Sequence, residues 1–384
     1  MKIAFIGQKG IPAVSGGLEK HVEELAIKLA EMGHSVFVYV RNNYTVKELK
    51  KYESVNLVHI PSISYSFLAT IHTLFKRYDI IHYQSIGSAS LCFIPKFLKR
   101  KTTIISTFHY RNYIDKKWGR LAKKYLKFGE KITCTIPDAT IVLKKSLRSY
   151  VFNKYKTKAL YIPDGAEIKY NPCAKVLERW NLKEKKYILS ATGISGERGA
   201  NYLIEAFKKL EGTNKLPNNF KLVVIEDALL ENESKNNIRN SANGTENIIL
   251  TGNHSRSSLQ QLFSHAYLFV QPFKPKNSSS YLLEAMSYGL APLVSDDQEN
   301  LETIGKSGIS FHSRSEEDLE EKLAYLLNKP EEVERIGKNA RERIKKEYSW
   351  NEISRKILRI YELNQKMPNK LLPRKIQAEN KSYV

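Results

Sequence analysis

The run Tyr281-Leu282-Leu283-Glu284-Ala285-Met286-Ser287-Tyr288-Gly289 is followed closely by Val294-Ser295-Asp296. Its apolar spacing predicts a helix over residues 280–288, and residues 291–294 read as a strand. Just upstream, residues 267–270 form another strand candidate and residues 271–279 a loop. Strand, loop, helix and strand in that order make one crossover of a mostly parallel sheet. The amino end of such a helix presents unpaired N–H groups and partial positive charge, which suits a diphosphate. Glu284 lies about one turn in, where a carboxylate can hold a cis-diol by two hydrogen bonds. Without a ligand, Glu284 is a surface residue and its apolar neighbours are core.

The same alternation fills the chain. Strands are expected at residues 2–7, 35–41, 56–60, 80–83, 103–107, 139–142 and 159–162. A helix over residues 18–32 turns Val22, Leu25, Ala26 and Leu29 inward, and Gly33-His34 ends it. The pattern restarts with strands at 187–191, 220–225, 248–251, 267–270 and 291–294, and helices at 200–210 and 257–264. The expected fold class is α/β, two Rossmann-like parallel-sheet domains facing across a cleft. The first spans residues 1–168 and the second 169–350, with residues 164–186 as the hinge candidate. Residues 351–384 add a helix packing back toward the first domain and a loose tail.

A chain of 384 residues fits two domains, and 42% apolar residues suffice for folded cores. No apolar stretch reaches the ~18 residues of a spanning helix, and the start of the chain lacks a signal-peptide pattern. Cys92, Cys134 and Cys173 have no metal or redox spacing, so a reducing cytoplasm is expected. The net charge of +22 is uneven. Residues 1–169 hold 29 Lys/Arg against 12 Asp/Glu, and residues 170–384 hold 33 against 28. Aromatic and basic residues interleave in Phe93-Ile94-Pro95-Lys96-Phe97-Leu98-Lys99-Arg100-Lys101 and from Trp118 to Phe128. That pattern suits either an anionic membrane surface or a solvated basic face. Nucleic acid is not expected, since no nucleic-acid motif accompanies the charge.

Several blocks carry a resemblance. They are Gly7-Gln8-Lys9-Gly10-Ile11-Pro12-Ala13, Gly16-Gly17-Leu18-Glu19-Lys20-His21-Val22-Glu23, His82-Tyr83-Gln84-Ser85-Ile86-Gly87, Thr107-Phe108-His109, Lys117-Trp118-Gly119 and Tyr161-Ile162-Pro163-Asp164-Gly165, with the run at 281–289 and Asp297-Gln298-Glu299-Asn300. Over residues 1–363 the chain resembles family-4 retaining glycosyltransferases of the bacterial capsule and exopolysaccharide type. The resemblance implies the GT-B fold, a nucleotide-diphosphate-sugar donor on the second domain, an acceptor on the first, and no metal or other cofactor. Its implied donor residues are Gly16, Gly17, Arg198, Ser280, Tyr281, Leu282 and Glu284, and Lys276 is a further donor-site candidate, as a phosphate cation replacing the charge absent at Ile194. His109 would position or deprotonate the acceptor hydroxyl. His82, Lys117, Trp118 and Arg120 would face the acceptor or the membrane, although His82 and Trp118 also fit structural roles.

The chain departs from the family pattern at the donor site. Lys276 stands where a Glu is usual, Ile194 falls near the place of an Arg, Asn112 replaces an Asp and Asp164 an Asn. Two readings follow. One is a transferase at the cytoplasmic face of the plasma membrane, acting on a lipid-linked glycan. The other is a donor-impaired partner subunit that binds acceptor or supports an active transferase.

Overall fold

The computed structural model describes residues 1–366 apart from 15, 112, 114–117, 192–196, 227–231, 253, 274–279 and 314. The chain divides into two compact units, Met1–Asp164 with Trp350–Val384, and Gly165–Ser349.

In the first unit the elements are β1 (Lys2–Ile6), α1 (Gly17–Glu31), β2 (Ser35–Arg41), β3 (Lys51–Tyr52), β4 (Val55–Ile60), α2 (Tyr65–Leu74), β5 (Ile80–Tyr83), α3 (Ile86–Ala89), α4 (Phe93–Leu98), β6 (Thr103–Phe108), α5 (Arg120–Thr135), β7 (Ala139–Val142), α6 (Lys145–Tyr155) and β8 (Leu160–Tyr161). They build one sheet in the order β3-β4-β2-β1-β5-β6-β7-β8. Among the described residues of this sheet only the β3–β4 pair is antiparallel. Strand side chains alternate between two covered faces. Ile3, Phe5, Val36, Val38, Ile80 and Ile105 pack with Val22, Leu25, Ala26 and Leu29 of α1. Ala4, Ile6, Tyr39, Ile81, Tyr83 and Ile104 pack on the opposite face, with Tyr65 and Ala69 of α2 and Ile132 of α5.

The second unit contains α7 (Lys175–Glu178), β9 (Tyr187–Ala191), α8 (Glu197–Gly212), β10 (Lys221–Ile225), α9 (Asn232–Ala242), β11 (Ile248–Leu250), α10 (Arg256–His265), β12 (Leu268–Gln271), α11 (Ser280–Ser287), β13 (Ala291–Ser295), α12 (Gln298–Ile304), β14 (Ile309–Phe311), α13 (Glu316–Leu327) and α14 (Pro330–Arg343). Its six strands are all parallel, in the order β11-β10-β9-β12-β13-β14. After a π-helical turn at Ile344–Tyr348, α15 (Trp350–Lys366) belongs to the first unit. Trp350, Ile353, Ile357, Ile360 and Tyr361 join the α1 core at helical spacing.

In each sheet the chain reverses its direction of growth once. In the first unit the reversal falls between β1 and β5, and in the second between β9 and β12. A crevice opens at the carboxyl ends of the strands on either side of such a point.

Close backbone approach fixes the layer behind α11. A Cβ on Gly337, inside α14, would lie 2.1 Å from the Gly289 carbonyl oxygen. In an exposed helix Gly→Ala adds ~1 kcal/mol of stability; here the clash with backbone reverses the sign. Gly337→Ala should lower the unfolding free energy of the second unit by ~1–3 kcal/mol in urea titration. A stabilised variant would refute this packing.

Candidate functional site

In the first unit the reversal point collects polar side chains. Gly7, at φ +127°, ends β1, and a Cβ there would approach the Gln84 and Ser85 nitrogens within 3.1 Å. β6 runs parallel beside β5 and delivers His109 next to Gln84. His109 Nε2 donates to Gln84 Oε1 at 3.0 Å, which leaves Nδ1 with its lone pair. The His21 ring meets His109 edge-on, with 5.0 Å between centroids, and also meets Trp350 at 5.4 Å. His21 Nδ1 donates to Asp164 Oδ1 at 2.9 Å. Its Nε2 is buried and has no hydrogen-bond partner among the described residues. Asp164, His21, His109 and Gln84 thus form one line of contacts along the strand ends.

His109 is half-buried. Burial and the neighbouring His21 push its pKa down to about 3, against a smaller upward pull from Asp164. The ring is neutral at physiological pH, so it orients hydrogen bonds and takes up protons weakly.

The loop after β1 is held from α1. Glu19 Oε1 accepts from the Lys9 N–H at 3.1 Å, and Glu23 Oε2 accepts from the Ala13 N–H. Gly16 stands at φ +100°, and a Cβ there would lie 2.2 Å from Glu19 Oε2. Glycine is therefore required by this clamp, whatever the loop binds. Gly17 is the first residue of α1.

His82 is fully buried with both nitrogens engaged, Nδ1 to the Tyr361 hydroxyl at 2.6 Å and Nε2 to Thr107 Oγ1 at 2.7 Å. Burial, with His21 and His109 nearby, holds it neutral. It joins the sheet to α15 rather than facing an acceptor, because a side chain packed beneath the sheet has no surface to offer. Trp118 is 36% exposed and Arg120, the first residue of α5, is exposed. Lys117 lies outside the described residues.

In the second unit the amino ends of α8, α11 and α12 follow β9, β12 and β13 at the carboxyl edge of the sheet. α8 comes unusually close to the chain after β12. A Cβ on Gly199 would lie 2.7 Å from the Pro272 carbonyl oxygen and 2.8 Å from Phe273 Cβ. Asn300, fully buried in α12, donates through Nδ2 to Phe273 O at 3.2 Å and to Ser295 Oγ at 2.8 Å. Pro272 and Phe273, just after β12, are thereby held against the first turns of α8 and α12. Such a cluster of helix amino ends can receive an anion.

Glu284 is half-buried on α11, and Tyr281 packs partly against the core beneath it. The Leu282 side chain is fully buried in that core, so only its backbone can meet a donor. Ser280 and Arg198 belong to α11 and α8, but their side chains, like Ile194 and Lys276 entirely, lie outside the described ones. Among the described residues no group of three His, Cys, Asp or Glu gathers as a metal site. Gln84, His21, Gly199, Ser295 and Asn300 were not singled out as site residues from sequence. The signal available for them was adjacency to strand ends.

Residues 15–169 match the family model for Glycosyltransferase Family 4, and residues 176–343 match that for Glycosyl transferases group 1. The chain is 22% identical over 393 residues to spore coat protein SA of Bacillus subtilis, covering 95% of this chain and all of that protein. Among solved structures, sucrose-phosphate synthase from Thermosynechococcus elongatus aligns with a TM-score of 0.73 at 19% identity, over 94% of this chain and 98% of that one. Anabaena HepE, in complex with UDP and glucose, aligns with a TM-score of 0.74 at 15% identity, over 94% and 99%. The fold is GT-B. The two family matches and the structural neighbours together support a GT-B glycosyltransferase.

The low pKa of His109 gives a direct test. In the unfolded chain the ring titrates near the ordinary value of 6.5. Below that pH the unfolded chain binds a proton that the folded ring refuses, so this contribution to stability is complete above pH 6.5 and is lost as pH falls toward about 3. Histidine NMR should show the His109 ring proton shift unchanged between pH 8 and pH 5. A midpoint near 6.5 would contradict the buried, neutral ring.

Proposed function

We propose that this glycosyltransferase moves a sugar from a nucleotide-diphosphate donor to a hydroxyl of a lipid-linked glycan, with retention of configuration. It acts at the cytoplasmic face of an anionic membrane, in cell-surface polysaccharide synthesis. The observation that carries the donor assignment is the cluster of helix amino ends at the β9/β12 reversal, drawn close by Gly199 and Asn300. A neighbour of the same fold in complex with UDP and glucose supports it.

In this reading the diphosphate rests on the amino ends of α8 and α11, with Arg198 and Lys276 as its cations. Glu284 takes the ribose hydroxyls. Each preorganised charge at a leaving group typically contributes a few kcal/mol in the transition state. The bond from the sugar carbon to the diphosphate breaks, and the bond to the acceptor oxygen forms on the same face. The acceptor's proton goes to the departing phosphate, because an imidazole with a pKa of about 3 is the weaker base. His109 acts by orienting a hydroxyl through Nδ1, while Gln84 and His21 hold its ring.

Calorimetric titration with a panel of nucleotide-diphosphate sugars tests this. One donor should bind at micromolar affinity, and Glu284→Ala should weaken it by roughly tenfold or more through the lost hydrogen bonds. No binding to any donor would overturn the transferase reading and favour the donor-impaired partner subunit.

A further inference from the structure

Helix α5 carries its apolar and basic residues on the outside. Leu121, Tyr125 and Phe128 recur at helical spacing and form one stripe, with Leu121 83% and Phe128 52% exposed. Arg120, Lys124, Lys127 and Lys131 form an adjoining stripe, all exposed. The inward side is Leu126, Gly129, Glu130, Thr133 and Cys134. A Cβ on Gly129 would lie 2.5 Å from the Ile86 carbonyl oxygen, so α5 lies tight against α3 and its outer face is fixed. The single acid of the helix, Glu130, points inward and is held by the Tyr150 and Tyr155 hydroxyls and Lys154.

The pattern continues over the helices covering the same side of the sheet. Phe75, just past α2, is 81% exposed, and Leu98, at the end of α4, is 70% exposed. Lys76, Arg77, Arg100 and Lys101 surround them, and Lys99 Nζ ties the two segments by donating to the Thr73 carbonyl at 2.9 Å. Between residues 62 and 136 there are 14 Lys/Arg against three Asp/Glu. The opposite side differs: α1 and α15 show no large exposed apolar side chain among the described residues. A contiguous exposed apolar surface marks a partner. Flanking cations on long stems, with Lys96 alone of those on α4 and α5 paired to an acid among the described residues, fit a plane of anionic headgroups over apolar chains.

We infer that the outer face of α2, α4 and α5 is the surface on which the first unit lies against an anionic bilayer, with Leu121 and Phe128 entering the headgroup boundary. This rests on the membrane-surface part of the proposed function and assigns it to particular residues. It places the amino end of α5, which follows the loop from His109, at the lipid surface from which a lipid-linked acceptor is drawn.

Co-sedimentation of the full chain with vesicles tests the inference. Phosphatidylglycerol-containing vesicles should bind it, phosphatidylcholine vesicles should bind weakly, and salt should reduce the binding. Leu121→Ser with Phe128→Ser, and separately Lys124→Glu with Lys131→Glu, should each weaken binding by roughly tenfold or more. Lys50→Glu with Lys51→Glu, the same charge change elsewhere in the unit, should stay within about twofold at moderate salt. Equal losses in all three, or none from the α5 pairs, would overturn the inference. Unchanged circular-dichroism melting shows that the variants fold. Donor calorimetry on the same samples separates the two claims. Vesicle binding through α5 without donor binding supports the surface and sinks the donor reading, and donor binding with vesicle binding indifferent to α5 does the reverse.

Discussion

Parallel strands impose one constraint on which the rest of this structure depends. Every strand of a crossover unit ends on the same edge, so the loops and helix amino ends that follow also gather there. Where strand order reverses, the two neighbouring loops leave on opposite sides of the sheet and their backbones are free for a ligand. This chain makes that arrangement twice, at β1/β5 and at β9/β12. The two points are furnished differently. The first is lined by side chains that hydrogen-bond as neutral groups, Gln84 and His109. At the second, the Pro272 carbonyl packs on Gly199 in the first turn of α8, and Asn300 in the first turn of α12 holds the Phe273 carbonyl. Backbone N–H groups suit the fixed charge of a diphosphate, whereas oriented neutral side chains suit hydroxyls.

Buried polar contacts hold the first of these points in shape. His21 joins three parts of the unit at once: Asp164 at its boundary, Trp350 where the chain returns, and His109 at the strand ends. His82 repeats the device one layer deeper, between Thr107 on β6 and Tyr361 on α15. Burial, with the neighbouring His21 and His109 rings, is what keeps His82 from charging. His82 and His109 therefore stay neutral next to the site, although the unit's sequence is strongly basic. The glutamates of α1 act similarly. Glu19 and Glu23 are tied to loop N–H groups and lock the segment after β1.

Most of the architecture was legible in the sequence because period-2 and period-3.6 patterns report burial, and burial is what strands and helices of an α/β fold share. The strands at 35–41, 80–83, 139–142 and 187–191 appear with those bounds. β3 and β14 escaped notice because two or three residues are too few to establish a period. Side-chain roles were harder to read. Gly16 looked like a site for a ligand's close approach, whereas a left-handed backbone and the Glu19 carboxylate already require it. His82 had the motif but not the position, since a strand residue one step from an exposed end can face the core. Leu282 lay in the motif helix but on its buried side. Gln84, His21 and Asn300 act through partners 25, 143 and 27 residues away in the chain, and no local pattern announces such pairs.

The charge of the chain shows why location and chemistry are separate properties here. Had the basic residues of the first half served phosphate binding, they would converge on the strand ends. Many of them lie instead on the outer faces of α4 and α5 and past the end of α2, beside exposed aromatic and aliphatic side chains, although Arg41 ends β2 and Lys144 and Lys145 follow β7. At the β1/β5 reversal the groups described are the Gln84 amide and the His109 and His21 imidazoles, with the Asp164 carboxylate held by His21, and His109 is held neutral by burial. A positive potential spread over a flat face acts at a distance of about one Debye length, ~8–10 Å at physiological salt. Under the proposed membrane contact, such a field draws the whole molecule to an anionic surface without presenting a lysine to each reacting group. In the proposed transfer, Gln84 and His109 orient the acceptor hydroxyl by hydrogen-bond geometry. In the proposed transfer the charge of the leaving diphosphate is met by the helix amino ends of the second unit together with Arg198 and Lys276.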